Sequence, residues 1–146
     1  MIINKDFKEF IKLLNDNFVR YLIVGGYAVA FHGHPHYTKD LDIWIYPDKE
    51  NAKKLIEAMK EFGFNSLDLK IEDFVKPGYV IQLGYLPNRI DILTDITGVE
   101  FDICYSEKIK VEIDGTRVNF IDLENLKKNK TATGRYQDLA DLEHLE

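Results

Sequence analysis

Residues 21–46 read YLIVGGYAVAFHGHPHYTKDLDIWIY. Tyr21 to Val24 is a short apolar run halted by Gly25-Gly26, the pattern of a buried strand, and Tyr27 to Phe31 then has the composition of a short helix. The diglycine falls at a strand-to-helix turn. From Asp40 to Tyr46 the residues alternate, with Leu41, Ile43 and Ile45 on one face and Asp40, Asp42 and Trp44 on the other. A second strand is expected there, and its pleat points both carboxylates to the same side, within reach of one or two cations.

Outward from this stretch the chain alternates helices and strands. Phe7, Phe10, Ile11 and Leu14 recur at helical spacing and predict an opening amphipathic helix from about Asp6 to Asn17. Pro47-Asp48 starts a helix whose apolar positions are Ala52, Leu55, Met59 and Phe62, with Gly63 as its stop. Tyr79 to Leu83 and Arg89 to Leu93, separated by Gly84 to Asn88, predict two antiparallel strands with Asp91 inside the second. Lys108 to Ile113 and Arg117 to Ile121 flank Asp114-Gly115, a dipeptide that tolerates positive φ at both turn positions, and so predict a hairpin. Leu123 and Leu126 belong to one closing helix and Leu139, Leu142 and Leu145 to another, with a break around Thr131 to Gly134.

Composition sets the outer bounds. A chain of 146 residues, 45% hydrophobic, is expected to form one domain over 1–146 and can hide roughly 70% of its unfolded surface without disulfides or structural metal. The lone Cys104 forms no internal bridge and no Cys-x-x-Cys pair suggests zinc, so a reducing, cytoplasmic setting is the default expectation. Tyr21 to Phe31, the longest mostly apolar stretch, is broken by the diglycine and is far shorter than the roughly 20 residues that span a bilayer. No membrane association is expected, and no secretory signal opens the chain. A net charge of −6 repels phosphate polymers and argues against a protein that coats nucleic acid, although a divalent cation reverses the local sign of an acidic site.

Several residues carry candidate chemistry. The Asp40-x-Asp42 pair repels itself, and the natural relief at neutral pH is a hard divalent ion such as magnesium; an isolated triplet among 25 acidic residues is ordinarily a solvated strand face. Gly25-Gly26 allows backbone to approach a phosphate whose charge suits the exposed N–H groups of a helix start, or is simply a tight turn. Asp91, between Ile90 and Ile92, points away from the face those residues bury, or is a surface acid. Lys130 and Arg135 are the best cations for phosphate or acceptor contact, each equally able to pair with Asp138 or Asp141. His32, His34 and His36 lie around Gly33 and Pro35 with no further cluster nearby and are read as ordinary loop histidines, not metal ligands. Trp44 and Tyr27 are read as packing residues before base-stacking ones.

Together, Val24-Gly25-Gly26, then Asp40-Leu41-Asp42-Ile43, then a strand with Ile90-Asp91-Ile92, resemble the nucleotidyltransferase superfamily with the DNA polymerase β-like fold. His32-Gly33, Thr38 to Asp42, and the ending Lys130 to Thr133, Gly134-Arg135, Asp138-Leu139 and Asp141-Leu142 are similar to its small AbiEii-toxin-like branch, over essentially the whole chain. The resemblance implies an α+β fold, a mixed sheet flanked by helices with a C-terminal hairpin and helices. It also implies that Asp40 and Asp42 hold two magnesium (or manganese) ions, one gripping a nucleoside triphosphate and one shared with Asp91. Two such ions roughly 4 Å apart stabilise the entering and leaving oxygens of an in-line displacement.

By the same resemblance Asp91 accepts the proton of the attacking hydroxyl or holds the ion that acidifies it, and Gly25 and Gly26 cradle the triphosphate, with Thr38, Lys130 and Arg135 as further nucleotide contacts. The implied reaction moves a nucleoside monophosphate to a hydroxyl and releases pyrophosphate. The acceptor is left open among a small molecule, a tRNA end and a protein; Lys127, Lys128, Lys130 and Arg135 form the basic patch that keeps tRNA open. An antitoxin is an implied partner. The chain departs from the branch at His36, where arginine is frequent, and a neutral imidazole replaces a fixed guanidinium poorly. Two rivals remain: a catalytically silent nucleotide-binding or toxin–antitoxin module of the same fold, and a D-x-D sugar-nucleotide transferase. The second is disfavoured because nothing before Asp40 supplies the larger sheet such domains need.

Overall fold

The computed structural model describes residues 3–33, 38–64, 68–84 and 88–145. Its frame is one mixed sheet of six strands, in the order Val80–Leu83, Ile90–Leu93, Leu41–Ile45, Tyr21–Val24, Thr116–Phe120, Ile109–Ile113. At the centre, β1 (Tyr21–Val24) runs antiparallel to β2 (Leu41–Ile45), pairing Tyr21 with Ile45 and Val24 with Asp42. On its other edge β2 runs parallel to β4 (Ile90–Leu93), which sets Asp42 directly beside Asp91. β3 (Val80–Leu83) pairs antiparallel with β4, as the spacing of the two runs predicted. β5 (Ile109–Ile113) and β6 (Thr116–Phe120) form the expected hairpin around Asp114-Gly115, and β6 lies parallel to β1.

Helices form where caps and apolar stripes coincide. α1 (Lys5–Asp16) starts at Asn4, whose side-chain oxygen accepts from the backbone N–H of Asp6 at 2.7 Å and Phe7 at 3.3 Å, satisfying two of the donors every helix start leaves free. It buries Phe7, Phe10, Ile11 and Leu14, each worth roughly 1.5–3 kcal/mol of burial. α3 (Lys49–Phe62) starts at Asp48, which accepts from Asn51 N–H at 2.7 Å, and stops at Gly63 with φ +116°. The two helices meet through Phe10 and Phe62, edge to face at 5.2 Å. At the other end of the chain, α5 (Leu123–Thr133) and α6 (Tyr136–His144) break at Gly134, inside the expected interval.

Some elements differ from expectation. α2 (Gly25–His32) begins at the diglycine itself instead of at Tyr27, so the first glycine directly follows the last strand residue, Val24, and is already helical. The 3₁₀ turn Ile71–Phe74 and the short α4 (Phe101–Ser106) were not foreseen. α4 matters because Phe101 packs edge to face on Trp44 at 5.1 Å, so Trp44 is 2% exposed and serves as core. Tyr27 packs against Phe7 at 5.8 Å and is likewise buried. Among the described residues no helix is long and apolar enough to cross a membrane.

Candidate active site

β2 and β4 bring together acids from distant parts of the sequence. Asp42 and Asp91 are register partners on adjacent parallel strands, one step inside the strand ends, and Asp40 lies just before β2. Asp91 is 7% exposed and therefore not a surface acid. Burial first, and then the neighbouring charges of Asp91 and Asp40, push the Asp42 carboxyl up to about 7.

Arg89, which the sequence reading passed over as a strand end, joins this group. Its Nε donates to Asp91 Oδ1 at 2.8 Å, and its Nη2 donates both to Asp91 Oδ2 at 3.1 Å and to Asp40 Oδ2 at 3.0 Å. The signal was available: an arginine two residues before an acid on a strand shares that acid's side of the pleat. The other oxygen of Asp40, Oδ1, is buried and has no hydrogen-bond partner among the described residues.

The diglycine faces the acids. Gly25 has φ +65°, and a Cβ there would collide with the Asp42 carboxylate, so both conformation and space require glycine. A Cβ on Gly26 would come within 2.7 Å of the Thr38 methyl, which places Thr38 against the same bend. Beside Asp42 opens a cavity of about 500 Å³, lined among others by Val24, Gly25, Asp95, Thr97, Lys130 and Arg135.

Lys130 and Arg135 reach this cavity while being paired. Lys130 Nζ lies 3.0 Å from Asp138 Oδ1 and 3.2 Å from Asp141 Oδ2, with its side chain 9% exposed. Arg135 Nε donates to Asp138 Oδ2 at 2.8 Å, but its side chain is 75% exposed. Burial raises Asp138, yet hydrogen bonds from Arg135, Thr133 and Lys130 outweigh it and hold the carboxyl below the usual carboxylate range. The pairing foreseen for these cations is thus present, and the charge of Lys130 still lowers the Asp42 carboxyl against the larger upward influences. His32 Nε2 sits 2.6 Å from the Ile121 carbonyl oxygen, a structural contact. His34 and His36 lie outside the described residues, as do residues 85–87 between β3 and β4.

A hard divalent ion suits the donors: two carboxylates abreast, a third with an orphaned buried oxygen, and a helix-start glycine that leaves room beside one of them. As arranged, however, no three acidic, histidine or cysteine side chains among the described residues converge closely enough to hold a metal. Arg89 is the group between Asp40 and Asp91.

Two solved structures share this architecture. The crystal structure of a candidate nucleotidyltransferase from Thermotoga maritima superposes with a TM-score of 0.62 at 18% identity, over 94% of this chain and 88% of that one. An antigenic nucleotidyltransferase-like protein from Paracoccidioides brasiliensis gives a TM-score of 0.55 at 13% identity, over 98% and 75%. At these identities the likeness shows the fold. No functionally curated protein matches the chain. The family model described as nucleotidyl transferase of unknown function (DUF2204) matches residues 3–146, and the chain belongs to that family.

Proposed function

We propose that the protein is a divalent-metal-dependent nucleotidyltransferase that moves a nucleoside monophosphate from a nucleoside triphosphate to a hydroxyl of an acceptor. The observation that carries this reading is the side-by-side pair Asp42 and Asp91, in register on parallel strands, with Gly25 against Asp42 and the cavity opening next to it. Family membership supports the reaction class.

Asp40, Asp42 and Asp91 are the residues that would hold magnesium or manganese. When bound, such ions neutralise phosphate charge and acidify a coordinated hydroxyl. The acceptor oxygen attacks the α-phosphorus, the new O–P bond forms as the bond to the bridging α–β oxygen breaks, and pyrophosphate leaves. Asp91 takes the hydroxyl proton or fixes the hydroxyl for its loss. Gly25 and Gly26, at the start of α2, offer backbone N–H groups to the triphosphate, with Thr38 against the same bend. Arg135, exposed at the cavity mouth, is the cation best placed to meet phosphate or acceptor.

Paired labels test the reading. Incubation with magnesium and either α- or γ-labelled triphosphate, in the presence of small-molecule, tRNA and protein pools, should leave the α label on one pool and the γ label in pyrophosphate. Release of γ label as orthophosphate, or triphosphate that does not bind with magnesium, overturns it. A nucleotide-binding module without catalysis is the second reading, favoured by the guanidinium of Arg89 between two of the acids. That reading expects binding with no label transferred. A cytoplasmic location and an antitoxin partner belong to the proposal as well; co-purification with the product of an adjacent gene tests the latter.

A further inference from the structure

We infer that Arg89 is the built-in occupant of the cation site, and that a divalent ion must displace its guanidinium from Asp40 before all three acids can serve it. This rests on the metal-dependent reading above. Nη2 is the atom at issue, because it is shared between Asp40 Oδ2 and Asp91 Oδ2 while Nε holds Asp91 Oδ1. A guanidinium neutralises two carboxylates through a planar fork, which is the work a divalent ion would do between the same oxygens. An ion drawn to the orphaned Asp40 Oδ1 meets the positive charge that Arg89 already places on Oδ2 of the same carboxylate.

The backbone restricts how the exchange happens. The carbonyl oxygen of Arg89 accepts from Leu41 N–H at 3.0 Å, tying the residue to the start of β2. Only the side chain is free to swing. Its charge is also needed until the ion arrives: Asp91 is nearly buried, and without Arg89 it would face Asp42 and Asp40 with less compensation. Lys130 is already committed to Asp138 and Asp141. Arg89 therefore keeps the metal-free site folded at the expense of metal affinity, and the ion binds by competition.

Calorimetric titration with manganese, without nucleotide, tests the competition on the full chain. Arg89→Met, which keeps the apolar stem and removes the charge, should bind manganese about tenfold tighter than wild type, and Arg89→Lys should fall between. Equal or weaker binding by Arg89→Met with a native circular dichroism spectrum overturns the competition and leaves the metal reading intact. No binding by any of the three, or unchanged binding by Asp42→Asn, overturns the metal reading itself and this inference with it. Should Arg89→Met not fold, the nitrogen-15 resonance of Arg89 Nε in wild type decides. It should move in step with magnesium binding, and a resonance unmoved at saturation overturns the inference.

Discussion

Asp42 on β2 and Asp91 on β4 stand abreast because their strands are parallel neighbours, although the chain between them includes α3 and β3. Parallel pairing needs a crossover, and here the crossover buries apolar side chains such as Leu55 and Met59 while returning the chain beside β2. The adjacency of the two acids is thus a product of topology. On the proposed function, Asp42→Asn should lower transfer at least about 10²-fold, since it removes a charged oxygen donor from the proposed metal site. Thermal melting at pH 8 should show the variant at least as stable as wild type, because asparagine lifts the cost of a charge crowded by Asp91 and Asp40. A variant that keeps transferring label at the wild-type rate contradicts the assignment.

The raised Asp42 carboxyl makes the metal-free protein sensitive to pH. Its folded value of about 7 exceeds the unfolded carboxylate value near 3.8, so folding favours the protonated form. That contribution is complete below the unfolded value, diminishes as pH rises, and is lost once pH passes about 7. Asp138 shifts the opposite way and completes its titration below the usual carboxylate range, so the two effects separate. Melting temperature measured in chelator should fall between pH 5 and pH 8, and Asp42→Asn should flatten the slope. Added magnesium should raise stability most at the alkaline end, where no proton competes for Asp42.

Gly25 and Gly63 together separate the proposed triphosphate-cradling bend from an ordinary turn. Gly25→Ala must hold φ +65° and place a methyl group on the Asp42 carboxylate, whereas Gly63→Ala at φ +116° meets nothing within 4 Å. Each substitution should cost about 1–2 kcal/mol for the left-handed conformation, measurable by urea denaturation. Only Gly25→Ala should also weaken magnesium-dependent triphosphate binding, by a displaced Asp42. Equal binding by both variants would show that the bend contributes shape alone.

Much of this arrangement was legible in residue order. Tyr21–Val24 carries a continuous apolar run because β1 is covered on both faces, and Asp42 alone interrupts the apolar run of Leu41–Ile45, at the position that lines the cavity, while Trp44 on the same face is covered by Phe101. Asp114-Gly115 and the helix start at Asp48 announce local structure through turn preference or a capping side chain, whereas the cap at Asn4 emerged only in the structure. α4 was not legible. It is a six-residue helix without a side-chain cap hydrogen bond, and its reason to exist is the tertiary contact of Phe101 with Trp44. Arg89 was missed for a related reason: it stands just before β4, its partners are an acid two residues on and an acid 49 positions away, and only the parallel pairing of β2 with β4 brings them together. The partners of Lys130 on α6 were anticipated, yet its burial depends on how α6 folds back against α5, which no local pattern specifies.

Lys130 and Arg135 offer the sharpest separation of structural from functional charge. Lys130 is nearly buried between Asp138 and Asp141, so Lys130→Met leaves two carboxylates in a low-dielectric setting with only Arg135 to compensate one of them. A loss of about 3 kcal/mol on urea denaturation is expected, near the lower end for breaking a buried pair because Arg135 and Thr133 still bond Asp138. Arg135 is itself largely solvated but bonds the buried Asp138, which Lys130 and Thr133 still bond without it, so Arg135→Ala should cost on the order of 1 kcal/mol, well below Lys130→Met. If its guanidinium meets the phosphates or the acceptor, Arg135→Ala should nevertheless weaken triphosphate binding or raise the KM for acceptor, with a salt dependence shallower than wild type. Unchanged binding in Arg135→Ala would leave Arg135 as a surface partner of Asp138. In that case the cationic side of the cavity would fall to Lys130, whose charge already bears on Asp42.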